Sequence, residues 1–407
     1  MAPTLRIGLS LSLSGKFEPM GRQAEAALRL LVSDLNREGG ANVAGTRYQL
    51  ALDCRDDASD AERCGAIYRS LCFGERADLL LGPYSSTLAR TAAPIAEEAG
   101  MVMVNHGGAA DDLYENRYRM LVGVLSPASD YLVGFVKLLA GLKLWRKRLA
   151  IVTSPGPFAA AVAGGVERAV AERFAKRHGV RIRVKYRGEF DPDTTPAKLF
   201  PALARNRVNA LVSAGDYAHD VAVMRAVASS TLNIPVLACV AAGVERFREE
   251  LGEHAEGIVG PSQWEEHAEI EPHLGPTPRE FASRMRAATP ELGCDYPAAQ
   301  AYAAGLLAKA AVEAAGSLEQ NRLREAFSEL RTVTLFGDFA IDRVTGRQIG
   351  HKMLLVQWHQ GHKVIIEAEP GPEADALEFP SGWRLILSSF QIFKLSRKKD
   401  EPDDERD

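Results

Sequence analysis

Leu5-Arg6-Ile7-Gly8-Leu9-Ser10-Leu11-Ser12-Leu13 opens the chain as an apolar run, and a segment of different period follows it. From Ala24 to Asn36 the apolar residues fall at Ala27, Leu28, Leu31, Val32 and Leu35, the i, i+3, i+4 spacing of an amphipathic helix. Gly39-Gly40 closes that helix, because glycine adopts the left-handed conformation of a helix C-terminus without penalty. The pattern then repeats. Tyr48 to Asp53 reads as a strand, Asp60 to Phe73 as a helix, Asp78 to Leu81 as a strand ended by Gly82-Pro83, Ser86 to Ala99 as a helix and Met101 to Val104 as a strand. Strands alternating with helices across short loops predict a parallel sheet covered on both faces.

A second cycle starts near Asp130. Helices are expected over Tyr131 to Leu142, Ala160 to His178, Ala197 to Asn206 and Asp220 to Ser229, with strands over Arg148 to Thr153, Val180 to Tyr186, Ala210 to Ser213 and Val236 to Cys239. Pro278 to Ala288 and Tyr296 to Ala315 read as further helices. Phe339 to Asp342 and Lys352 to Trp358 read as hairpin strands around the turn Arg343 to Gly346. From about Gly371 a C-terminal extension begins, apolar from Trp383 to Leu395 and then highly charged from Arg397 to Asp407, where disorder is expected. The fold class is therefore α/β, with two Rossmann-like, doubly wound lobes.

The 407 residues suffice for two such lobes, and 46% apolar with 25% charged residues is ordinary globular composition. The formal net charge of −4 excludes a strongly basic nucleic-acid binder, so no nucleic-acid partner is expected. No stretch approaches 18 uninterrupted apolar residues, and the N-terminus reads as a strand rather than a signal peptide. Two compartments stay open: periplasmic or extracytoplasmic if a signal peptide has been removed, or cytoplasmic. Cys54, Cys64, Cys72, Cys239 and Cys294 form no CxxC pair and read as buried or half-buried free thiols.

In open α/β sheets ligands bind beyond the carboxyl ends of the strands, so the loops there carry the function. The first, Ser12 to Gly21, is neither GxGxxG nor a phosphate-binding Walker loop. Gly82-Pro83-Tyr84-Ser85-Ser86-Thr87 places hydroxyls and backbone N–H groups at a helix start, where they either bind an anion or simply cap the helix. Asn105-His106-Gly107-Gly108-Ala109 allows close backbone approach through its glycines. Later loops carry Ser154 to Phe158, then Gly215-Asp216-Tyr217, then Val240 to Gly243. Asp216 either offers a charge or caps its helix. There is no GxSxG, no HExxH and no acid–base pair, so no catalytic residue, metal site or cofactor is expected.

Several motifs together resemble the type I periplasmic binding proteins, in particular the leucine/isoleucine/valine-binding branch of ABC-transporter solute receptors. They are Leu5 to Leu9 with Ser14-Gly15 and Gly21, Asn36 to Gly40, Asp53 to Asp57, Leu81 to Thr87, Ser126 to Asp130, Tyr296 to Tyr302, and Gly337-Asp338-Phe339 followed by Gly346, Gly350-His351 and Gln357-Trp358. The match covers roughly residues 4–368. The resemblance implies a receptor whose lobes, joined by three crossing strands, close like a hinge on a small amino acid, carboxylate or amide and present it to the membrane permease of an ABC importer. It implies a lobe of residues 1–122 with 263–335, a second of 123–262 with 336–370, and crossings near Gly123 to Ser126, Gly260 to Trp264 and Phe336 to Phe339.

By position, the carboxylate of such a ligand would meet Ser85 and Ser86 and the backbone at Gly107 and Ala109. Here the sequence departs from amino-acid receptors. A frequent threonine is Ala109, the acid that holds the ammonium is Val240, the aromatic of the first loop is Met20, and the second-lobe tyrosines fall on Phe158 and Asp216. An unpaired ammonium in a closed cleft costs several kcal/mol. Either Asp216, beside Tyr217, becomes its partner, or the ligand carries no ammonium. An aromatic or aliphatic carboxylate or an amide, set among Phe17, Tyr84 and Phe158, is the expected class. A cytoplasmic ligand sensor of the amide-sensing type is the competing function.

Overall fold

The computed structural model describes residues 2–75, 77–142, 144, 146–172, 182–191 and 196–366. In chain order the first region runs β1 (Thr4–Leu11), α1 (Glu18–Arg37), β2 (Ala41–Val43), β3 (Thr46–Asp56), α2 (Ala61–Arg69), β4 (Leu79–Leu81), α3 (Ser86–Glu98), β5 (Met103–Asn105), α4 (Asp112–Glu115) and β6 (Leu121–Gly123). Its sheet is ordered β2-β3-β1-β4-β5-β6, parallel except where β2 folds back on β3. Leu5, Ile7, Leu9 and Leu11 of β1 are all buried, as a strand in the middle of a covered sheet requires.

Helix α1 begins at Glu18, a turn and a half before its apolar stripe does. Pro19 fits a first helical turn, where its missing N–H is not needed. Gly21 lets the helix lie against β1's end, since a Cβ there would sit 2.0 Å from the Ser12 carbonyl oxygen. Those two residues hide the helix start from a periodicity reading.

The second region continues with α5 (Val133–Gly141), β7 (Lys147–Thr153), α6 (Pro157–Ala171), β8 (Ile182–Glu189), α7 (Pro196–Arg205), β9 (Ala210–Ala214), α8 (Tyr217–Ala228), β10 (Val236–Cys239), α9 (Arg246–Leu251) and β11 (Val259–Ser262). Then come α10 (Pro278–Ala288), α11 (Tyr296–Ala315), α12 (Gln320–Glu329), β12 (Thr332–Thr334), β13 (Gly337–Phe339), β14 (Leu354–His359) and β15 (His362–Ile366). The second sheet is ordered β15-β14-β11-β10-β9-β7-β8. Helix α11 returns to the first region, where Gly305 makes room for Leu31 of α1. The expected helix to His178 ends at Ala171, residues 173–178 and 180–181 lying outside the described set, as does the whole extension 371–407 with its expected disorder.

The expected hairpin around residues 343–346 is cut short: Ile341 bridges antiparallel to Gln348 and the Asp342 N–H donates to the Arg347 carbonyl at 2.8 Å, but the strand over 352–358 is not its second arm. β13 pairs with β12, while β14 pairs antiparallel with β11 and with β15. The tight turn of that second hairpin is Gln360-Gly361, both at positive φ, a two-residue connection matched to strand twist. The segment between β13 and β14 instead leans on the first sheet: the Gly123 N–H donates to the Gly346 carbonyl at 2.8 Å. The third passage between sheets therefore falls after it, near His351, and not at Phe336 to Phe339.

The passages meet at one polar knot. The Ser126 N–H donates to Gln263 Oε1 (3.2 Å) and Gln263 Nε2 to the Ser126 carbonyl (3.1 Å). Ser126 Oγ pairs with His351 Nδ1 at 2.7 Å, and the His351 ring stacks on Phe336 at 4.6 Å. Burial lowers the His351 pKa to about 4, so the knot is uncharged at neutral pH.

Candidate functional site

The carboxyl ends of both sheets face a cavity of about 200 Å³. Phe17, Met20, Tyr84, Ser85, Ser86, Gly107, Ala109, Phe158, Asp216, Tyr217 and Val240, the residues singled out in the sequence, all line it. So do Lys16, Thr87, Leu125, Tyr131, Ser154, Tyr296 and Gln300, which the loop reading passed over as site residues.

The first wall is the start of α3. Ser85 sits at φ +103°, a conformation that favours glycine, and its hydroxyl accepts from the Leu88 N–H at 3.3 Å. The Ser85 N–H donates to the Gly107 carbonyl at 3.1 Å. This approach is why residue 107 is glycine: a Cβ would stand 2.2 Å from the Pro83 carbonyl oxygen. Ser86 Oγ accepts from the N–H groups of Ala109 (3.1 Å) and Ala110 (3.0 Å). The backbone donor at Ala109 is thus engaged by Ser86 and not open to a ligand, whereas the Ser86 O–H remains a donor. A helix leaves its first N–H groups without intrahelical partners, and those of Ser86 and Thr87 begin α3 beside the cavity.

The opposite wall starts at Gly156, with φ +120°, which precedes α6 without any side-chain cap. Phe158 packs edge-on to Tyr131 at 5.3 Å. Two helix starts, each with the positive end of its dipole, therefore meet the same space. Asp216 is exposed and accepts from the His219 N–H at 3.0 Å, so it caps α8. Behind it Asp220 is fully buried and holds Ser213 Oγ at 2.7 Å and the Ala241 N–H at 3.0 Å, burial raising its pKa. Val240 adds an apolar side chain to this wall.

Rings make most of the rest. Phe17 meets Tyr84 edge-on at 6.0 Å, with Lys16 Nζ 4.6 Å from the Phe17 ring centre. The hydroxyls of Tyr84 and Tyr296 pair at 2.9 Å. Burial raises the Tyr84 and Tyr296 pKa values, so both are neutral phenols. Gln300, one turn after Tyr296 on α11, is fully buried, and neither atom of its amide has a hydrogen-bond partner.

Next to the cavity lies a second polar group. Lys363 on β15 is buried, with Nζ 3.0 Å from Glu265, 3.2 Å from Asp295 and 3.3 Å from Glu245, and donates to the Gly243 carbonyl at 3.0 Å. Burial by itself lowers its pKa, but Asp295, Glu265 and Glu245 outweigh that and hold it above the ordinary lysine value. Burial pushes Glu265 up to about 6 despite the pull of Lys363. Asp295 stands at the head of α11 and Lys363 in the second sheet, so this pairing spans the cleft. The five cysteines are buried or half-buried as expected, and burial raises Cys54, Cys64 and Cys294 to about 12.

The sequence profile described as periplasmic binding protein matches residues 4–363. The chain belongs to the periplasmic binding protein family. This is a family of solute-binding receptors and not a class of enzymes; it binds small molecules, works with ABC transporters and is extracytoplasmic. No helix among the described residues is long and apolar enough to cross a membrane. Solved structures carry the same fold. The leucine-binding protein LivK of Thermotoga maritima superposes with a TM-score of 0.74 at 17% identity, covering 89% of this chain and 97% of that one. The substrate-binding protein LivJ of Streptococcus pneumoniae, in complex with isoleucine, gives 0.72 at 18% identity over 89% and 99%. A solute-binding protein of an R. palustris ABC transporter, in complex with benzoate, gives 0.72 at 20% identity over 91% and 98%. The doubly wound, two-sheet receptor fold expected from the sequence is the fold found.

Proposed function

We propose that this periplasmic binding protein captures a small carboxylate, aromatic or aliphatic, or an amide, in the cavity between its two sheets and delivers it to the permease of an ABC importer. The observation that carries this reading is the missing counter-charge. The one acid among the cavity residues, Asp216, is exposed and caps α8, while the nearby Asp220 is buried among its own partners. An ammonium brought here would be desolvated without a buried partner, at a cost of several kcal/mol. A carboxylate is favoured by the open start of α3, the Ser86 hydroxyl and Lys16. Phe17, Tyr84, Tyr131, Phe158 and Tyr296 suit an apolar or aromatic body. A structural neighbour that binds benzoate and others that bind leucine or isoleucine bracket the two ligand classes.

We take the lobes to part near residues 122 and 262 and to close about the knot of Ser126, Gln263 and His351. Thermal unfolding against a panel of amino acids, aromatic acids, aliphatic acids and short amides tests the reading. A ligand at 100 times its dissociation constant adds about 2.7 kcal/mol, a clear shift in midpoint. A shift with benzoate, an aliphatic acid or an amide and none with leucine or isoleucine is the expected result; the reverse overturns the proposal.

A further inference from the structure

The buried glutamines among the described residues separate into two kinds. Gln23 accepts from the Asp295 N–H at 3.0 Å, Gln263 bonds through both ends, Gln348 bonds Val124 and Ala340, and Gln357 donates to the Gly257 carbonyl at 2.9 Å. Gln300 is as buried as any of them, lines the ligand cavity, and has neither its donor nor its acceptor engaged. It lies on α11 between Ala299 and Ala301, where an apolar side chain would avoid the desolvation of an unpaired amide. A carboxylate bound beside it would satisfy the Nε2 donors but leave Oε1 facing another acceptor.

We infer that Gln300 is a specificity residue, and that the ligand is a hydroxylated acid whose hydroxyl donates to Gln300 Oε1 or accepts from its Nε2. A hydroxyl is the smallest neutral group able to do both, which suits a cavity of about 200 Å³ already crowded by aromatic rings. The phenols of Tyr84 and Tyr296, bonded to each other at 2.9 Å one helical turn from Gln300, leave one hydroxyl hydrogen free to complete the same polar corner. A site built to hydrogen-bond a hydroxyl rejects the analogue lacking it, because its own polar groups are then left unpaired. This inference rests on the reading of the ligand as an acid without an ammonium.

Calorimetric titration of the full chain tests it with matched pairs: benzoate against 3- and 4-hydroxybenzoate, and phenylacetate against mandelate, with phenylalanine and leucine alongside. The expected result is at least one hydroxylated acid binding tenfold or more tighter than its parent, a ratio that Gln300→Met brings to threefold or less. If Gln300→Met does not fold, Gln300→Asn, which keeps the amide but withdraws it by one methylene, is read the same way. Parents that bind as tightly as their hydroxylated partners overturn the inference alone, as does an advantage that survives both substitutions. Phenylalanine or leucine binding more tightly than every acid overturns the underlying ligand reading as well, and no acid binding at all overturns its carboxylate half together with the inference.

Discussion

Lys363 and Gln300 are both buried polar side chains beside the cleft, yet only Lys363 is surrounded by partners. Three carboxylates and a carbonyl enclose its ammonium. The amide of Gln300 has none. A closed polar assembly is a structural part: removing any member exposes the others to an unfavourable environment. An unpartnered one in a cavity wall is receptive, because a ligand can supply what the protein does not. Other polar groups follow the same division. Asp220 is enclosed and structural, while the N–H groups that begin α3 and α6 are open to the cavity.

The largest expected effect lies on the enclosed side. Lys363→Met leaves the buried carboxylates of Glu265 and Asp295 facing one another, beside the more exposed Glu245, and should cost about 3–5 kcal/mol in urea unfolding. A loss below about 1 kcal/mol would mean that the carboxylates are solvated and the assembly is not closed. The next effect is a pH dependence. The Glu265 pKa in the fold is about 6, above the ordinary 4.5, so between these values the folded chain keeps a proton that the unfolded chain has released. Its contribution therefore stabilises the fold as the pH falls through 6 towards 4.5 and is lost as the pH rises, by about 2 kcal/mol in all. Urea midpoints of the wild type and Glu265→Gln across that window should diverge; parallel curves would remove Glu265 as the titrating group.

On the open side the effects are smaller and fall on binding. Ser86→Ala should weaken benzoate binding by about 1–2 kcal/mol, and cost stability of similar size because the Ala109 and Ala110 N–H groups lose their shared acceptor. Lost stability with unchanged affinity would move Ser86 to the structural side of the comparison. Asp216→Asn should do least. Asparagine caps a helix as well as aspartate does, so stability and benzoate affinity should both stay within about 0.5 kcal/mol. An abolished affinity in calorimetry would show that Asp216 pairs with a cation on the ligand.

Much of the site was legible in the loops. Ser85, Ser86, Gly107 and Phe158 follow strands, and strand ends are where an α/β sheet binds. Tyr131, Tyr296 and Gln300 were not, although Tyr296 to Tyr302 stood out as a motif. They sit at or within helix starts rather than strand ends, and the i, i+4 spacing of Tyr296 and Gln300 has a second explanation as helix packing. The second arm of the hairpin was misplaced for a similar reason. Arg343 to Gly346 is a true turn, with Asp342 Oδ1 accepting from the Thr345 N–H at 2.7 Å, but a turn does not say which strands it joins.

The sequence by itself determined the alternation of strands and helices, the two-lobed α/β class, the family, and the absence of an acid at position 240. These depend on local periodicity and residue type. Only the tertiary structure decided that Ser86 engages the Ala109 N–H, that Lys363 gathers carboxylates from distant parts of the chain, and that Gln300 alone among the described buried glutamines lacks a partner. Whether a buried polar group is satisfied depends on atoms far away in sequence, and no local pattern records them.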